Sequence, residues 1–344
     1  MPSEADSAIP AAAAKRRPRR IFGVGALILG IPILLWMTAA FFVARSLKYP
    51  DFLYRDRGEN VFGGHVPPLQ RGSVTEIRNA TGIEPQRYDA GVVEDEGPFK
   101  HQVSVVGWYF RGTRREVVVL VPAAGGTEAD LIPYVKFLHA AGYTVVATYS
   151  ANNPRFGINW GLLKRRFALA TARQLKSDGF DKIAVLGISE GGAGAILAHA
   201  EQPIFSAIIV DSTYANLATM LMRSPSMRKL NPAFSATVLW EAGWMFGRSP
   251  YAISPQNAAA KLGGCPLLVI QNRGDPLTPS ADGVAIRNAA SSGAELWIAP
   301  SDGHGDAIYE APKEYAAHVV NFLNATFGPA APAAEWKEKN GGHR

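Results

Sequence analysis

The sequence contains little cysteine and little charge. Cys265 is the only cysteine among 344 residues, so no internal disulfide can form and a folded state must rest on its hydrophobic core. Charged residues make up 19% of the chain, and half of the formal net charge of +6 lies in residues 1–20. Phosphate binding needs a clustered basic face, so the nearly balanced remainder argues against a nucleic-acid partner.

Patterns that bind metals or phosphates are missing as well. The sequence has no HExxH segment, no cluster of cysteine and histidine at ligand spacing, and no phosphate-binding loop. We therefore expect neither a metal nor an organic cofactor.

One apolar run is long enough to cross a membrane. Residues 21–44 carry no charge. As a helix they would extend over about 36 Å, more than the roughly 30 Å of a hydrocarbon core. A basic cluster lies directly before the run, and only Arg45 and Lys48 follow it closely. The positive-inside rule then predicts a single-pass signal anchor, with a cytoplasmic N-terminus and the remaining chain on the extracytoplasmic side.

Other interpretations of this run stay open. A cleaved signal peptide would use Thr38-Ala39-Ala40 as its small-residue site. The segment Arg19-Arg20-Ile21-Phe22 resembles the core of a twin-arginine export signal, although Pro18 and Gly23 depart from that pattern. A buried helix of a soluble domain would be apolar too.

Composition and patterning divide the chain into five parts. These are a basic tail (1–20), the membrane helix (21–44), a polar connector (45–100), an α/β domain (101–328) and a disordered tail (329–344). In the α/β domain, apolar runs alternate with longer helical stretches, which predicts a doubly wound, mostly parallel sheet. Strands are expected at Gln102–Phe110, Glu116–Val121, Tyr143–Tyr149, Lys182–Ile188, Ser206–Val210, Pro266–Gln271 and Glu295–Ala299.

Residues 214–256 interrupt this alternation. They contain no clear strand but several large apolar side chains, including Trp240 and Trp244. A helical insertion over the carboxyl edge of the sheet, where ligands of α/β proteins bind, is one interpretation. Ordinary core packing by a pair of helices is the other.

A serine stands where the strand Lys182–Ile188 meets a helix rich in glycine and alanine. Gly187-Ile188-Ser189-Glu190-Gly191 has the G-x-S-x-G pattern of a strained strand-to-helix turn that raises a nucleophile above the sheet. Gly187 and Gly191 leave room for this turn. The side chain of Glu190 suits the first turn of a helix, where its charge meets the positive end of the dipole.

Serine is a weak nucleophile unless a base accepts its proton. The seven histidines are His65, His101, His139, His199, His304, His318 and His343. Only His304 follows a late predicted strand in a loop, and this position lets it turn back over the sheet edge. It is the candidate base.

The base needs a carboxylate to orient its ring. Asp275 follows the penultimate predicted strand, and the order Ser189, Asp275, His304 is the order found with this kind of turn. Asp211, Asp302 and Asp306 remain competitors.

Acyl transfer also needs donors to the developing oxyanion. The backbone N–H of Glu190 is one candidate. The loop after Glu116–Val121 should supply the other, with Ala124 as first choice and Ala123 as second.

From Val103 to Phe327 the chain resembles α/β-hydrolases of the prolyl-oligopeptidase-like and serine-aminopeptidase-like kind. The segments that carry the likeness are GWYFRG, VVVLVPAAGGT, GISEGG, DSTYANL, ISPQNAAAKLGGCPLLVIQNRGDPLTP and GHGDAIYEAPKEYAAHVVNFL. The resemblance implies Ser189 as nucleophile, Asp275 as acid and His304 as base. The oxyanion loop departs from the family, because it begins Pro122-Ala123 where His-Gly is usual.

The function we expect is hydrolysis of an ester, thioester or amide through an acyl-enzyme, most of all of a carboxylesterase or lipase kind. The substrate would be a small acyl compound or a peptide. A serine peptidase and a catalytically silent, membrane-bound interaction module are the alternatives.

Overall fold

A computed structural model describes residues 19–49, 73–98, 100–126, 128–150, 158–290 and 293–328. Within them the chain forms one eight-stranded sheet. Its strands are β1 (Gln86–Glu94), β2 (Gln102–Phe110), β3 (Val117–Val121), β4 (Thr144–Ser150), β5 (Ile183–Ile188), β6 (Ala207–Asp211), β7 (Leu267–Asn272) and β8 (Ala294–Ala299). The expected disordered tail and nearly all of the basic tail lie outside the described residues.

The sheet is mostly parallel, as predicted. Its order is β1-β2-β4-β3-β5-β6-β7-β8, and only the β1–β2 and β2–β4 pairs are antiparallel. All residues of β3, β5, β6 and β7 are buried, which explains their almost continuous Val, Ile and Leu content. Each of the seven predicted strands is found within one residue of its expected bounds.

Helices cover both faces of the sheet. They are α1 (Arg19–Lys48), α2 (Val74–Thr81), α3 (Glu128–Ala140), α4 (Leu162–Ser177), α5 (Glu190–Glu201), α6 (Leu217–Arg223), α7 (Pro232–Phe246), α8 (Pro255–Ala259), α9 (Ser280–Ala289), α10 (Ala307–Glu310) and α11 (Pro312–Phe327). The larger core unites one sheet face with residues of α1 and of α4 to α9. The second core joins the other face to α2, α3, α10 and α11.

The range 45–100 is more than the connector we expected. It contains α2 and β1, so the sheet starts before residue 101. Two features hide β1 in the sequence. It is a largely exposed edge strand, and its register shifts between Asp89 and Val92, where Gly91 has a φ of 86°. This irregularity destroys the alternation that marks an edge strand.

The insertion at 214–256 is helical, and all of it is described. It holds α6, α7, a single 3-10 turn at Pro250–Ala252 and the start of α8, and it leaves the sheet after the carboxyl end of β6. The inner residues of α7, among them Leu239 and Phe246, join the larger core. Trp240 and Trp244 point outward.

The helix α1 extends four residues past the predicted span and ends inside the domain. It is long and apolar enough to cross a membrane by length and composition. Ala40, Ala44 and Leu47 are buried in the larger core. The amine of Lys48 donates to the carbonyl of Met245 over 2.7 Å, at the end of α7.

Candidate active site

Three side chains meet at the carboxyl edge of the parallel strands. Ser189 follows β5, Asp275 follows β7 and His304 follows β8. The His304 Nε2 atom lies 2.9 Å from Ser189 Oγ, and its Nδ1 atom lies 2.7 Å from Asp275 Oδ2. The sheet therefore brings together all three residues that the sequence singled out, although they are separated by 86 and 29 positions in the chain.

Ser189 occupies a strained backbone conformation. Its φ is 52° and its ψ is −112°, which non-glycine residues rarely adopt. The turn is tight, because a Cβ at Gly187 would collide with the backbone of Gly191 and one at Gly191 with the carbonyl oxygen of Val121. The strain is maintained by the packed strand and helix on either side. It lifts the hydroxyl off the end of β5 and toward His304.

Asp275 is buried and fully engaged. Its Oδ1 atom accepts the backbone N–H groups of Leu277 and Thr278 at 2.8 and 2.9 Å. Its Oδ2 atom accepts the Thr278 hydroxyl at 2.6 Å as well as facing His304. Burial by itself raises the pKa of Asp275, but the hydrogen bonds and charge of His304 and the donors of Thr278 outweigh it, so the pKa lies below its ordinary value.

The competing acid Asp211 has other partners. Its carboxylate accepts the hydroxyl of Ser212 at 2.8 Å and that of Tyr315 at 2.9 Å. Complete burial raises its pKa to about 6, despite those two donors. Asp211 lies close enough for its charge to act on His304, but Asp275 is the carboxylate at hydrogen-bond distance from the imidazole. Of the other competitors, Asp302 is exposed.

Other described histidines are engaged elsewhere. The ring of His139 lies 2.9 Å from the carbonyl of Arg111, His199 accepts the N–H of Phe205, and His318 stacks on Trp297. His65 and His343 lie outside the described residues.

The two candidate oxyanion donors belong to the start of α5 and to the loop after β3. Glu190 is the first residue of α5, so its N–H points out of the start of the helix. Ala124 lies in the loop after β3 and is largely buried. This loop passes beside the turn that carries Ser189, because the carbonyl oxygens of Val121 and Pro122 are the nearest neighbours of a Cβ placed on Gly191.

Comparisons with known proteins agree with this architecture. A family model described as TAP-like protein matches residues 231–333, a stretch that includes Asp275 and His304 but not Ser189. No curated protein sequence matches the chain.

Among solved structures, an esterase from Pyrococcus furiosus superposes with a TM-score of 0.56 at 19% identity, over 76% of this chain and 97% of that one. A puromycin-hydrolyzing peptidase from Mycobacterium tuberculosis and an acylaminoacyl peptidase from Pyrococcus horikoshii each give 0.53 at 18% identity. These two matches cover 72% and 74% of this chain, but only 40% and 42% of the longer peptidases.

The chain has the α/β-hydrolase fold. The sheet order, the helices on both faces and these superpositions agree on it. The resemblance predicted from sequence motifs is confirmed at the level of the fold.

Near the turn at Ser189, the buried side chains of Glu190 and Lys164 are close enough for each to affect the pKa of the other. Glu190 Oε1 accepts the N–H of Gly161, at the start of α4, over 2.9 Å. Burial raises the pKa of Glu190 against the opposing effects of Lys164 and the Gly161 N–H. Burial lowers the pKa of Lys164, against the effect of Glu190. The Glu190 side chain thus connects the start of α4 to the turn.

Two supporting residues were missed in the sequence. The hydroxyl of Thr278 holds Asp275, and that of Ser212 accepts the N–H of Gly305, next to His304, over 3.1 Å. Thr278 is detectable in principle, as a threonine three residues after a candidate acid. Ser212 has no local signal, because its role depends on β6 lying between the strands that carry the other residues.

Proposed function

We propose that this chain is a membrane-tethered serine hydrolase that cleaves carboxylic esters or thioesters through an acyl-enzyme. One observation carries the proposal: His304 lies within hydrogen-bond distance of both the Ser189 hydroxyl and the Asp275 carboxylate. The strained backbone of Ser189 supports it further.

The proposed reaction has two halves. His304 Nε2 takes the proton of Ser189 as the serine oxygen bonds to the acyl carbon. The bond from that carbon to the leaving oxygen or sulfur then breaks, and the imidazolium returns the proton to the leaving group. Water, deprotonated by His304, next attacks the acyl carbon of the acyl-enzyme. The bond between that carbon and Ser189 Oγ breaks, the imidazolium returns the proton to Oγ, and the carboxylic acid leaves. Asp275 accepts the Nδ1–H of His304, which orients the ring, and stabilises the imidazolium.

The backbone N–H groups of Glu190 and Ala124 are the proposed oxyanion donors. Each donor of this kind contributes about 3–4 kcal/mol to the transition state in well-studied serine hydrolases. No metal or organic cofactor takes part in this scheme. The solved structures that share the fold include an esterase and two peptidases, so amide hydrolysis is the second candidate.

The tether is the proposed role of α1. Residues 30–36 are exposed at every position, and consecutive residues of a helix point in different directions, so no described part of the domain surrounds this stretch. Ile33, Leu34 and Leu35 are among its exposed side chains. A helix that is apolar all round requires a nonaqueous environment. The next two turns are part of the domain core, which favours an uncleaved anchor. The basic residues before α1 favour a cytoplasmic N-terminus.

A panel of p-nitrophenyl acyl esters and aminoacyl anilides tests the proposal in purified full-length protein. The Ser189→Ala variant should lose ester hydrolysis by a factor on the order of 10⁶, while the exposed Ser177→Ala control keeps it. Preferential anilide cleavage would favour the peptidase. Hydrolysis that survives in Ser189→Ala, or is absent from the wild type, would refute the proposal, and the latter would favour the silent module.

A further inference from the structure

The outer face of α7 is apolar and exposed. Trp240 and Trp244 are 69% and 59% solvent-exposed. Ala233 and Ala236 are exposed on the same stripe, since positions three and four residues apart lie on one side of a helix. The only ionisable residue between Pro232 and Gly247 is Glu241, and it is buried. Exposed tryptophans in such a stripe mark a contact surface.

The position of α7 indicates what covers this surface. Near the start of α7, Trp36 of α1 donates its indole N–H to the hydroxyl of Thr237 over 3.1 Å, and its ring packs edge-on against Phe234 at 4.9 Å. Near the end of α7, Lys48 donates to Met245. The two helices therefore run parallel, side by side, from Trp36 to Lys48.

The apolar surface of α1 continues alongside that of α7. Phe41 and Phe42 are exposed on α1 at the levels between those two contacts. Arg45 then ends the apolar stretch of α1, as Arg248 does shortly after α7. Both helices thus change from apolar to basic at the same end of the pair. This arrangement is typical of the interface between a membrane and water, where tryptophan and basic side chains are enriched.

We propose that the outer face of α7, centred on Trp240 and Trp244, lies in the interfacial layer of the same bilayer that α1 crosses. The inference rests on the proposed anchor. A lipid surface fits because exposed apolar side chains lie on both of these neighbouring helices, Phe41 and Phe42 on α1 and Trp240 and Trp244 on α7.

This contact lies close to the nucleophile turn. At the end of α1, the carbonyl of Leu47 accepts the indole N–H of Trp160 and that of Lys48 accepts the N–H of Ile158. Gly161, the residue after Trp160, donates its backbone N–H to the carboxylate of Glu190, which is next to Ser189 in the chain. The bilayer contact therefore holds the carboxyl edge of the sheet near the lipid surface, where acyl compounds that partition into membranes are concentrated.

Site-specific fluorescence in lipid nanodiscs tests the proposal. The full chain, with Cys265→Ala as background, receives one cysteine at a time for labelling with the dye NBD. The test positions are Trp240→Cys and Trp244→Cys. The matched control is Lys313→Cys, which is exposed on α11 against the opposite face of the sheet. The nanodiscs contain phosphatidylcholine and phosphatidylglycerol, and leave both membrane surfaces open to solutes.

We expect the labels at 240 and 244 to be several-fold less accessible to iodide than the label at 313, and to be quenched by lipids carrying doxyl groups. Iodide access equal to that of the control overturns the proposal. Shielding from iodide without quenching by doxyl lipid assigns the surface to a second copy of the chain, and also overturns it. Failure of the chain to enter nanodiscs refutes the anchor and this inference together. None of these readouts depends on hydrolysis, so they are independent of the proposed chemistry.

Discussion

Two regions of the molecule are built in different ways. One is the sheet edge that carries Ser189, Asp275 and His304, called the rim below, and the other is the pair of helices α1 and α7. At the rim, each oxygen of Asp275 is hydrogen-bonded and the side chains are largely buried. Short motifs at strand ends supply these groups. In the α1–α7 pair, residues about 200 positions apart meet through alanines, one indole hydrogen bond and one lysine. Its outer surface is apolar and exposed. We propose that the rim carries out the chemistry, whereas the helix pair places the domain at a membrane.

The largest effect that tests this contrast is expected at the rim. Asp275→Asn keeps the shape of the side chain, but its amide can donate a hydrogen bond to His304 Nδ1 where the carboxylate accepts one. The imidazole is then held in the wrong tautomer. By analogy with other triads, kcat should fall by about 10⁴-fold. Ester hydrolysis by purified protein measures it. The exposed Asp302 provides the control, and Asp302→Asn should retain activity. If Asp302→Asn loses ester hydrolysis and Asp275→Asn does not, then Asp302 is the carboxylate that orients His304.

A second effect is expected beneath the turn at Ser189. The Lys164→Met variant removes the cation whose charge favours the ionised form of the buried Glu190 carboxylate, so it should lower the free energy of unfolding. The double variant Lys164→Met/Glu190→Gln removes both charges and should be less destabilised than Lys164→Met alone.

Thermal unfolding in detergent micelles measures both variants, with the exposed Lys176→Met on α4 as control. If the double variant is as unstable as Lys164→Met or more so, the two charges are not coupled and this pair of side chains has no structural role.

A smaller effect is expected from the support of Asp275. Thr278→Val removes the hydroxyl that donates to Oδ2, and should cost about 1 kcal/mol at neutral pH, while Thr278→Ser should cost less. Because the folded-state pKa of Asp275 is depressed, its contribution to stability is present above the unfolded value near 4 and is lost as pH falls through the folded pKa.

The stability gap between wild type and Thr278→Val should therefore narrow as pH falls below about 4. Unfolding midpoints measured from pH 7 to pH 3 check this. A gap that widens on acidification would show that Thr278 does not stabilise the ionised carboxylate.

The smallest effect is expected in the helix pair. Trp36→Phe retains an aromatic ring next to Phe234 but removes the donor to Thr237, and should lower the unfolding midpoint by the equivalent of about 0.5–1 kcal/mol. Phe42→Leu, on the exposed side of α1, is the control. A larger effect from Phe42 than from Trp36 would mean that the outer side of α1, and not the contact with α7, holds the pair together.

The sequence predicted the rim well because the information there is local. The turn around Ser189, and the placement of Asp275 and His304 after buried strands, follow from short patterns and from the rule that parallel strands end at one edge. The seven predicted strands are confirmed for the same reason.

Long-range contacts were beyond the sequence patterns. Nothing local shows that Lys48 would reach the end of α7, or that Gly161 would meet the carboxylate of Glu190. The strand β1 was not predicted, because the apolar residues of an irregular edge strand do not alternate regularly with polar ones. The exposed tryptophans of α7 were visible as composition, but only the structure shows which side of the helix they occupy.

The most direct test of the central claim is to map the site of covalent modification. The full-length protein in nanodiscs is treated with a fluorophosphonate probe, digested and analysed by mass spectrometry. We expect a single adduct on the peptide that contains Ser189, formed by wild type and abolished by His304→Ala. A stoichiometric adduct on another residue, or an unmodified Ser189 under native conditions, would contradict it.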